Sequence, residues 1–382
     1  MSTQIKKYTT KAGKTLYYFN AYLGVDDLGK KRYAKRQGFT TKRHAQIALA
    51  DLYRDVEENG LNTHSMRIRT FEDLYKQWLK QYRLTVKKSS VANKKNITEK
   101  NILKYFGKME LSKVTVAYCQ SVVNDWYENY KSYSYFRATT SQIFNYGVAM
   151  EIIKSNPMAK TIVPRKKEED KKLKYYTKEQ LEHFFECLKD YGEYKRFTFF
   201  RLLAFSGARK SEILALQWKD VDLFNKSITI NKTIAKDENG NVIVQTAKTS
   251  SSKRIISLDD ETIRVLREWH TRQKKDYLKM GFNTSSTEQL VFTTMKSNQV
   301  LEPNIPNGWL KSIIKVYKLP VISPHHFRHT HASLLLQAGV PIKEVSERLG
   351  HKDVGVTLSI YSHVMPEEAE KTAEKFANFV GF

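Results

Sequence analysis

Three short stretches in the last part of the chain carry side chains suited to phosphate chemistry. They are His325-His326-Phe327-Arg328-His329-Thr330, the turn Leu349-Gly350-His351, and Tyr361 within Leu358-Ser359-Ile360-Tyr361-Ser362-His363. Upstream, Gly207-Ala208-Arg209-Lys210-Ser211-Glu212 adds a second arginine, and Lys248 stands between the two blocks. Guanidiniums can clamp the non-bridging oxygens of a phosphodiester and stabilise the charge that grows in its transition state. Imidazoles and an amine can move protons, and a phenol can attack phosphorus to give a covalent phosphoester. Arg209, Lys248, His325, Arg328, His351 and Tyr361, with Glu212 in support, are the candidate catalytic set.

The sequence around each of these residues implies an element that would position it. An apolar helix over Phe197–Phe205 breaks at Ser206-Gly207, so Arg209 falls at the start of a new helix, where free backbone N–H groups favour an anion. Glu212, three residues on, can pair with a basic residue and hold its geometry. Ser227–Ile234 and Val242–Gln245 alternate as two strands joined by the turn Asp237-Glu238-Asn239-Gly240-Asn241. Lys248 then lies in the polar turn Ala247–Ser252 before a strand over Arg254–Leu258. Ser323-Pro324 predicts a helix start, with Ser as cap and Pro in the first turn. That helix places His325, Arg328 and His329 on one face. A further helix over Pro341–Leu349 ends at Gly350, and Tyr361 follows His351 by ten residues.

The histidine density also admits a metal reading, because His325 and His329 have the spacing of a zinc pair. No glutamate lies between them, Arg328 would aim a cation at the metal, and no cysteine is near, so no metal is expected. Cys119 and Cys187 are the only cysteines and are far apart, which argues against a disulfide scaffold and favours a reducing compartment. No apolar stretch reaches membrane-spanning length, so no membrane partner is expected. Pro341–His363 can also be read as a helix-turn-helix, which leaves open a DNA-binding regulator without catalysis.

The net charge is +25, made up of +6 over residues 1–64, +10 over 65–160 and +9 over 161–382. A basic excess in every region suits a polyanion contacted along a long path. Residues 14–39 read as a small sheet with a hairpin at Asp27-Leu28-Gly29-Lys30, and a helix follows from about Thr41 to a stop at Gly60. Lys30, Lys31, Arg32, Lys35 and Arg36 cluster around the second strand, as a sheet with one basic face laid in a major groove would require. Residues 65–160 read as all-helical, with Thr70 as a cap, periodic segments near Ile97–Tyr105, Thr115–Tyr130 and Tyr135–Met150, and Lys87, Lys88, Lys94 and Lys95 as candidate DNA contacts. The charge run within 161–176 reads as a linker, and Thr177-Lys178-Glu179-Gln180 restarts a helix with a capping box. After Tyr361, residues 366–382 place Ala369, Ala373, Phe376, Ala377 and Val380 on one helical stripe.

The order Arg209, Lys248, His325-x-x-Arg328, His351, Tyr361 resembles the tyrosine recombinase family, the integrases of phages and integrative elements in particular. Ser206 stands where that family usually has Thr, and Phe327 where it usually has Leu. The resemblance implies a multidomain α+β chain. Its parts would be an arm-type DNA-binding domain (1–64), a helical core-binding domain (65–160), a linker (161–176), and a mainly helical catalytic domain with a small antiparallel sheet (177–382).

It also implies a site-specific recombinase that cuts and rejoins DNA through a 3′-phosphotyrosine and a four-way junction, integrating or excising a mobile element or phage genome. Tyr361 would be the nucleophile, and Arg209, Arg328 and His351 would hold the phosphate. His325 would assist proton movement, and Lys248 would protonate the leaving 5′ oxygen. No cofactor would be needed. The implied partners are double-stranded DNA at core and arm sites, three further copies of the chain in a tetramer, and, where control demands it, a DNA-bending host factor and an excisionase. The tail would dock in cis or on a neighbouring protomer. The implied location is the cytoplasm of a bacterial host, at the nucleoid. A type IB-like topoisomerase shares the chemistry and, with the regulator, stands as the alternative.

Overall fold

A short antiparallel sheet opens the first of two units, residues 1–165 and 166–382, in the computed structural model. The structure describes residues 5–10, 13–25, 29–59, 68–165, 173–246, 253–362 and 379–381. Strands β1 (Lys6–Thr9), β2 (Thr15–Val25) and β3 (Lys31–Phe39) pair in sequence order. Alternation sends Phe19 and Ala21 of β2 to one face, where they bury fully with Ala45 and Leu52 of α1 (Lys42–Asn59). Opposite them, the Tyr22 and Tyr33 rings meet at 5.2 Å, and the Lys35 ammonium lies 5.7 Å from the Tyr18 ring. The basic residues of β3 therefore do not share one face as expected. Lys31 and Lys35 go with Tyr33, while Arg32 and Arg36 fall on the side of Ala34, because a period of two separates consecutive residues.

The rest of this unit is a helical bundle, with α2 (Phe71–Thr85), α3 (Lys88–Ile97), α4 (Leu103–Phe106), α5 (Val116–Asn129) and α6 (Tyr133–Ala149). Thr70 caps α2 as expected, its hydroxyl accepting from the Asp73 amide while Asp73 accepts from the Thr70 amide. Phe71, Phe106, Trp126 and Phe144 centre the core. The helix expected over Ile97–Tyr105 is interrupted by a π turn, Thr98–Ile102, which keeps Thr98 and Ile102 buried together while Glu99 and Lys100 face solvent. The expected linker is narrower than 161–176. Ile162 N–H donates to Gln120 Oε1 (2.7 Å) and Tyr133 Oη to the Pro164 carbonyl (2.6 Å), fixing residues 161–165 to the bundle. Buried Tyr176 donates from its amide to Thr330 Oγ1 (3.0 Å), which fixes the other end to the second unit.

In the second unit α7 (Lys178–Asp190) starts with the expected Thr177–Gln180 capping box. Helix α8 (Tyr194–Ser206) has no exposed residue: its Phe199, Phe200, Leu202 and Leu203 side chains are buried between α7, α10 (Asp260–Lys279) and α12 (His326–Gln337), and its Lys195, Arg196 and Arg201 are half-buried. Burial of side chains the size of Phe199, Phe200 and Leu203 contributes about 1.5–3 kcal/mol each. Between α8 and α10 come α9 (Lys210–Ile213), β4 (Val221–Asp222), β5 (Ser227–Ile230), β6 (Lys232–Lys236), β7 (Val242–Thr246) and β8 (Arg254–Ser257). The strand expected over Ser227–Ile234 is two strands in two sheets. β5 sits between β4 and β8, whereas β6 pairs only with β7 across the Asp237–Asn241 turn. Helices α11 (Ile305–Tyr317), α13 (Ile342–Leu349) and α14 (Val354–Tyr361) complete the unit. Ala332, Leu336, Val345, Leu349 and Tyr361 form a small core of their own. The tail stripe at 369–377 lies outside the described residues. Among the described residues no helix is long and apolar enough to cross a membrane.

Candidate active site

The C-terminal end of α8 builds the first wall. Ser206 Oγ donates back to the Leu202 carbonyl (2.6 Å) and accepts from the Ala208 amide (3.2 Å), closing a tight turn at Gly207. Gly207 has φ +66°, and a Cβ there would stand 2.5 Å from the His331 ring, so only glycine fits. The chain then turns outward at Arg209, immediately before α9. Buried Glu212 takes the Arg209 amide (2.8 Å) on Oε2 and the Arg209 guanidinium (2.9 Å) on Oε1. It also accepts from Arg254 Nη2 (2.9 Å), on a side chain that is itself 8% exposed. Burial alone would raise the Glu212 pKa. Its bonds to Arg254 and Arg209 outweigh that and hold it below the usual carboxylate range.

Helix α12 builds the second wall. It begins two residues later than the Ser-Pro signal predicts. Pro324 and His325 form a turn, and Ser323 donates its amide to the His326 ring (2.8 Å) instead of capping with its hydroxyl. Arg328, 3% exposed, donates from Nη1 to the Gly207 carbonyl (3.0 Å). Its Nη2 is buried with no hydrogen-bond partner among the described residues. Phe327 points the other way, into a cluster with Tyr176, Phe184 and Phe200, so its departure from Leu is a packing matter. The His325 and His329 rings meet edge to face at 4.9 Å.

The third wall is the turn and helix after α13. Gly350 ends α13 at φ +70°, and His351 follows. The His351 Nδ1 shares a hydrogen bond with Thr357 Oγ1 (2.8 Å), a buried residue one turn before Tyr361 on α14. Tyr361 is 1% exposed, and its hydroxyl lies 2.7 Å from His329 Nδ1. Arg348 fastens α13 from behind. It donates to His331 Nε2 (2.9 Å), to the Phe205 carbonyl (3.1 Å), and to the Ser257 carbonyl (2.9 Å) and hydroxyl (3.2 Å).

Electrostatically the pocket holds three guanidiniums (Arg209, Arg254, Arg328) against one carboxylate, Glu212. Burial and the neighbouring arginines push His351 down to about 4. Burial and the surrounding histidines push His329 down to about 4, and burial with Arg328 lowers His325. At neutral pH these imidazoles are uncharged donors and acceptors. Burial pushes Tyr361 up to about 12, partly offset by Arg328. The site therefore has surplus positive charge, an unpaired guanidinium N–H and a protonated phenol, which together suit a phosphodiester anion.

Arg209, His325, Arg328, His351 and Tyr361 are brought together, with Glu212 behind Arg209. Lys248 lies outside the described residues. Sequence reasoning missed Arg254, His329 as a partner of Tyr361, and Thr357. Of the expected DNA contacts in the bundle, Lys88 is exposed at the start of α3, whereas Lys94 turns inward to Thr139 Oγ1 (2.8 Å) and the Tyr135 ring (4.4 Å). Among the described residues no group of His, Cys, Asp or Glu is placed to hold a metal ion.

Buried Arg328 and half-buried Arg209 converging with two histidines and a helix-borne tyrosine, on this α+β scaffold, define a site-specific tyrosine recombinase. The chain belongs to the phage integrase family, whose model it matches over residues 174–368. It also matches the phage integrase N-terminal SAM-like domain over 70–141 and an arm DNA-binding domain over 4–55. It is 30% identical to a XerC-like tyrosine recombinase of Caldanaerobacter subterraneus subsp. tengcongensis, covering 95% of this chain and 96% of the relative. It is 28% identical to the ICEBs1 integrase of Bacillus subtilis, covering 94% and 96%. Among solved structures it shares its fold with the Tn1549 transposon integrase bound to circular-intermediate DNA (TM-score 0.65, 20% identity, 80% and 99% covered). A lambda integrase tetramer bound to a Holliday junction gives TM-score 0.56 at 16% identity, with 91% and 95% covered.

Proposed function

We propose that this enzyme recombines specific DNA sites through a 3′-phosphotyrosine on Tyr361. The observation that carries the reading is the Arg328 guanidinium, buried, unpaired at Nη2, and favouring the ionised form of the Tyr361 phenol. A scissile phosphate seated there would meet Arg328 and Arg209 on its non-bridging oxygens, with the neutral His351 donating a further hydrogen bond. Tyr361 Oη bonds to phosphorus as the bond to the 5′ oxygen breaks. Lys248 supplies the proton that leaves with that oxygen, and His325 assists proton movement. The phosphotyrosine conserves the energy of the broken bond, so rejoining to a partner strand needs no nucleotide cofactor.

Two such exchanges pass through a four-way junction and require a tetramer on two DNA sites, a reading supported by the lambda integrase tetramer bound to a Holliday junction. In this division of labour residues 1–64 read arm sites, with Lys30, Lys31, Arg32, Lys35 and Arg36 as contacts. Residues 65–160 hold the core site through Lys87, Lys88 and Lys95, and residues 177–382 carry out the chemistry. The DNA rearranged is that of a phage or integrative element in its bacterial host, with a DNA-bending factor or excisionase setting direction.

The test is covalent capture, without metal or nucleotide, on a labelled duplex from the joined ends of the element. The duplex is nicked close to the scissile phosphate, so that the short 5′-hydroxyl fragment diffuses away. A denaturant-resistant adduct that Tyr361→Phe removes is the expected result. Binding without an adduct in the unmutated protein would favour the non-catalytic regulator, and relaxation of supercoils without strand exchange would favour the topoisomerase.

A further inference from the structure

Among the described residues, His329 is the hydrogen-bond partner of the atom that reacts. Its Nδ1 stands 2.7 Å from Tyr361 Oη, with the two rings 5.7 Å apart. The contact is built and not incidental. Tyr361 is held at the end of α14 by the small core with Leu336 and Leu349, and His329 projects from the helix that also carries Arg328. We propose that His329, resting on the phosphotyrosine reading above, is the direct proton partner of Tyr361. It takes the phenolic proton during cleavage and returns it during rejoining.

The charged and titratable groups facing His329 are His325 from the turn before α12, His326 and Arg328 from α12, His351 from the turn before α14, and Tyr361 itself. Those neighbours and its burial keep His329 uncharged, so one ring nitrogen is a free acceptor. With the phenol also uncharged, Oη–H can donate to Nδ1 while Nε2 carries the ring hydrogen, which is the tautomer that attack requires. A phosphodiester entering between Arg328 and Tyr361 adds a negative charge. That charge favours the protonated imidazole and so draws the proton across as the Oη–P bond forms.

The step balances. Oη–H breaks and Nδ1–H forms, Oη–P forms and P–O5′ breaks, and O5′ takes its own proton from the acid on the leaving side. In rejoining, O5′–H gives its proton back to the group on the leaving side as O5′–P forms, Oη–P breaks, and His329 returns its proton to Oη. His325 then remains a neighbour of the phosphate and is not the base for the nucleophile.

The experiment uses the full-length chain and the nicked duplex. General acid–base partners contribute about 10²–10⁴-fold, so His329→Ala and His329→Asn should both slow adduct formation by that order while still shifting the duplex in a gel. Asn presents an oxygen near the Nδ1 position that can accept the bond but cannot carry the proton. A His329→Asn protein that cleaves at the unmutated rate would therefore leave His329 as a positioning residue only and overturn the proposal. Incorporating 3,5-difluorotyrosine at position 361 lowers the phenol pKa. It should restore most of the rate lost in His329→Asn yet change little where His329 is intact. Equal effects of the fluorinated residue in both backgrounds would equally reject the proton role. An unmutated protein that forms no adduct, or a Tyr361→Phe protein that still forms one, would instead sink the phosphotyrosine reading itself.

Discussion

The two halves of the active site satisfy their polar groups differently. On the Arg209 side the buried carboxylate already has its partners within the protein: Glu212 binds the Arg209 backbone and side chain and the Arg254 fork, and Arg254 Nε donates to the Arg348 carbonyl (2.9 Å). On the Tyr361 side, among the described residues, Arg328 leaves its Nη2 unpaired and His329 is the phenol's hydrogen-bond partner. In the first half Glu212 and Arg254 are scaffold, their desolvation already compensated, and they fix the geometry of the partly exposed Arg209. The second holds groups whose best partner is the substrate. Pre-set donors of this kind need no reorganisation when charge develops.

Substitutions should separate the halves. Tyr361→Phe is expected to abolish adduct formation in the nicked-duplex assay while leaving the thermal midpoint near that of the parent. Arg328→Lys keeps a charge but loses the planar fork, and cleavage should fall by about 10²–10³-fold. If that lysine variant cleaved at the parental rate, the unpaired N–H would have no catalytic meaning. Glu212→Gln acts through the scaffold. Breaking a buried ion pair costs about 3–5 kcal/mol, seen in denaturant titration as an early midpoint, with loss of activity following loss of fold.

The pH dependence of that last effect has a definite sign. Glu212 is held below its ordinary value, so its contribution is fully present above the unfolded-state value of about 4.3 and is lost as pH falls through the lower folded-state value. The stability gap between parent and Glu212→Gln should stay constant at neutral pH and close in acid. The smallest change is Thr357→Val, which removes one hydrogen bond to His351. The loss of about 1 kcal/mol should appear as several-fold slower cleavage with unchanged duplex binding.

What the sequence discloses differs between these halves too. Arg209, His325, Arg328, His351 and Tyr361 are legible because each sits in a short run whose turn or cap is local: Ser206-Gly207, Gly350, the helix after Pro324. Arg254 is not, since its partner Glu212 lies in a different element and nothing near Arg254 marks it. His329 could be placed on the right face by its spacing from His325, but its partner comes from α14, which no periodicity in α12 encodes. The same limit explains the divided strand at Asn231. Alternation runs unbroken through Ser227–Ile234, yet β5 and β6 find different partners, and a period of two carries no information about which strand pairs with which.

Arg348 reaches acceptors in α8, β8 and α12 from one side chain, while the helix it sits on packs with α14 and with Ala332 and Leu336 of α12 in a small core apart from the large one. Helices α13 and α14 thus form a small unit tied to the main body by the Arg348 guanidinium, by the Arg254–Arg348 and His329–Tyr361 hydrogen bonds, and by packing on Ala332 and Leu336 of α12. Such units open below the free energy of global unfolding. In native-state amide exchange, Val345–Leu349 and Thr357–Tyr361 should lose protection together and before α8, and Arg348→Met should widen that gap. The nucleophile is then delivered by a small module with its own core, so a duplex or a second protomer can tune reactivity by steadying that module without deforming the rest.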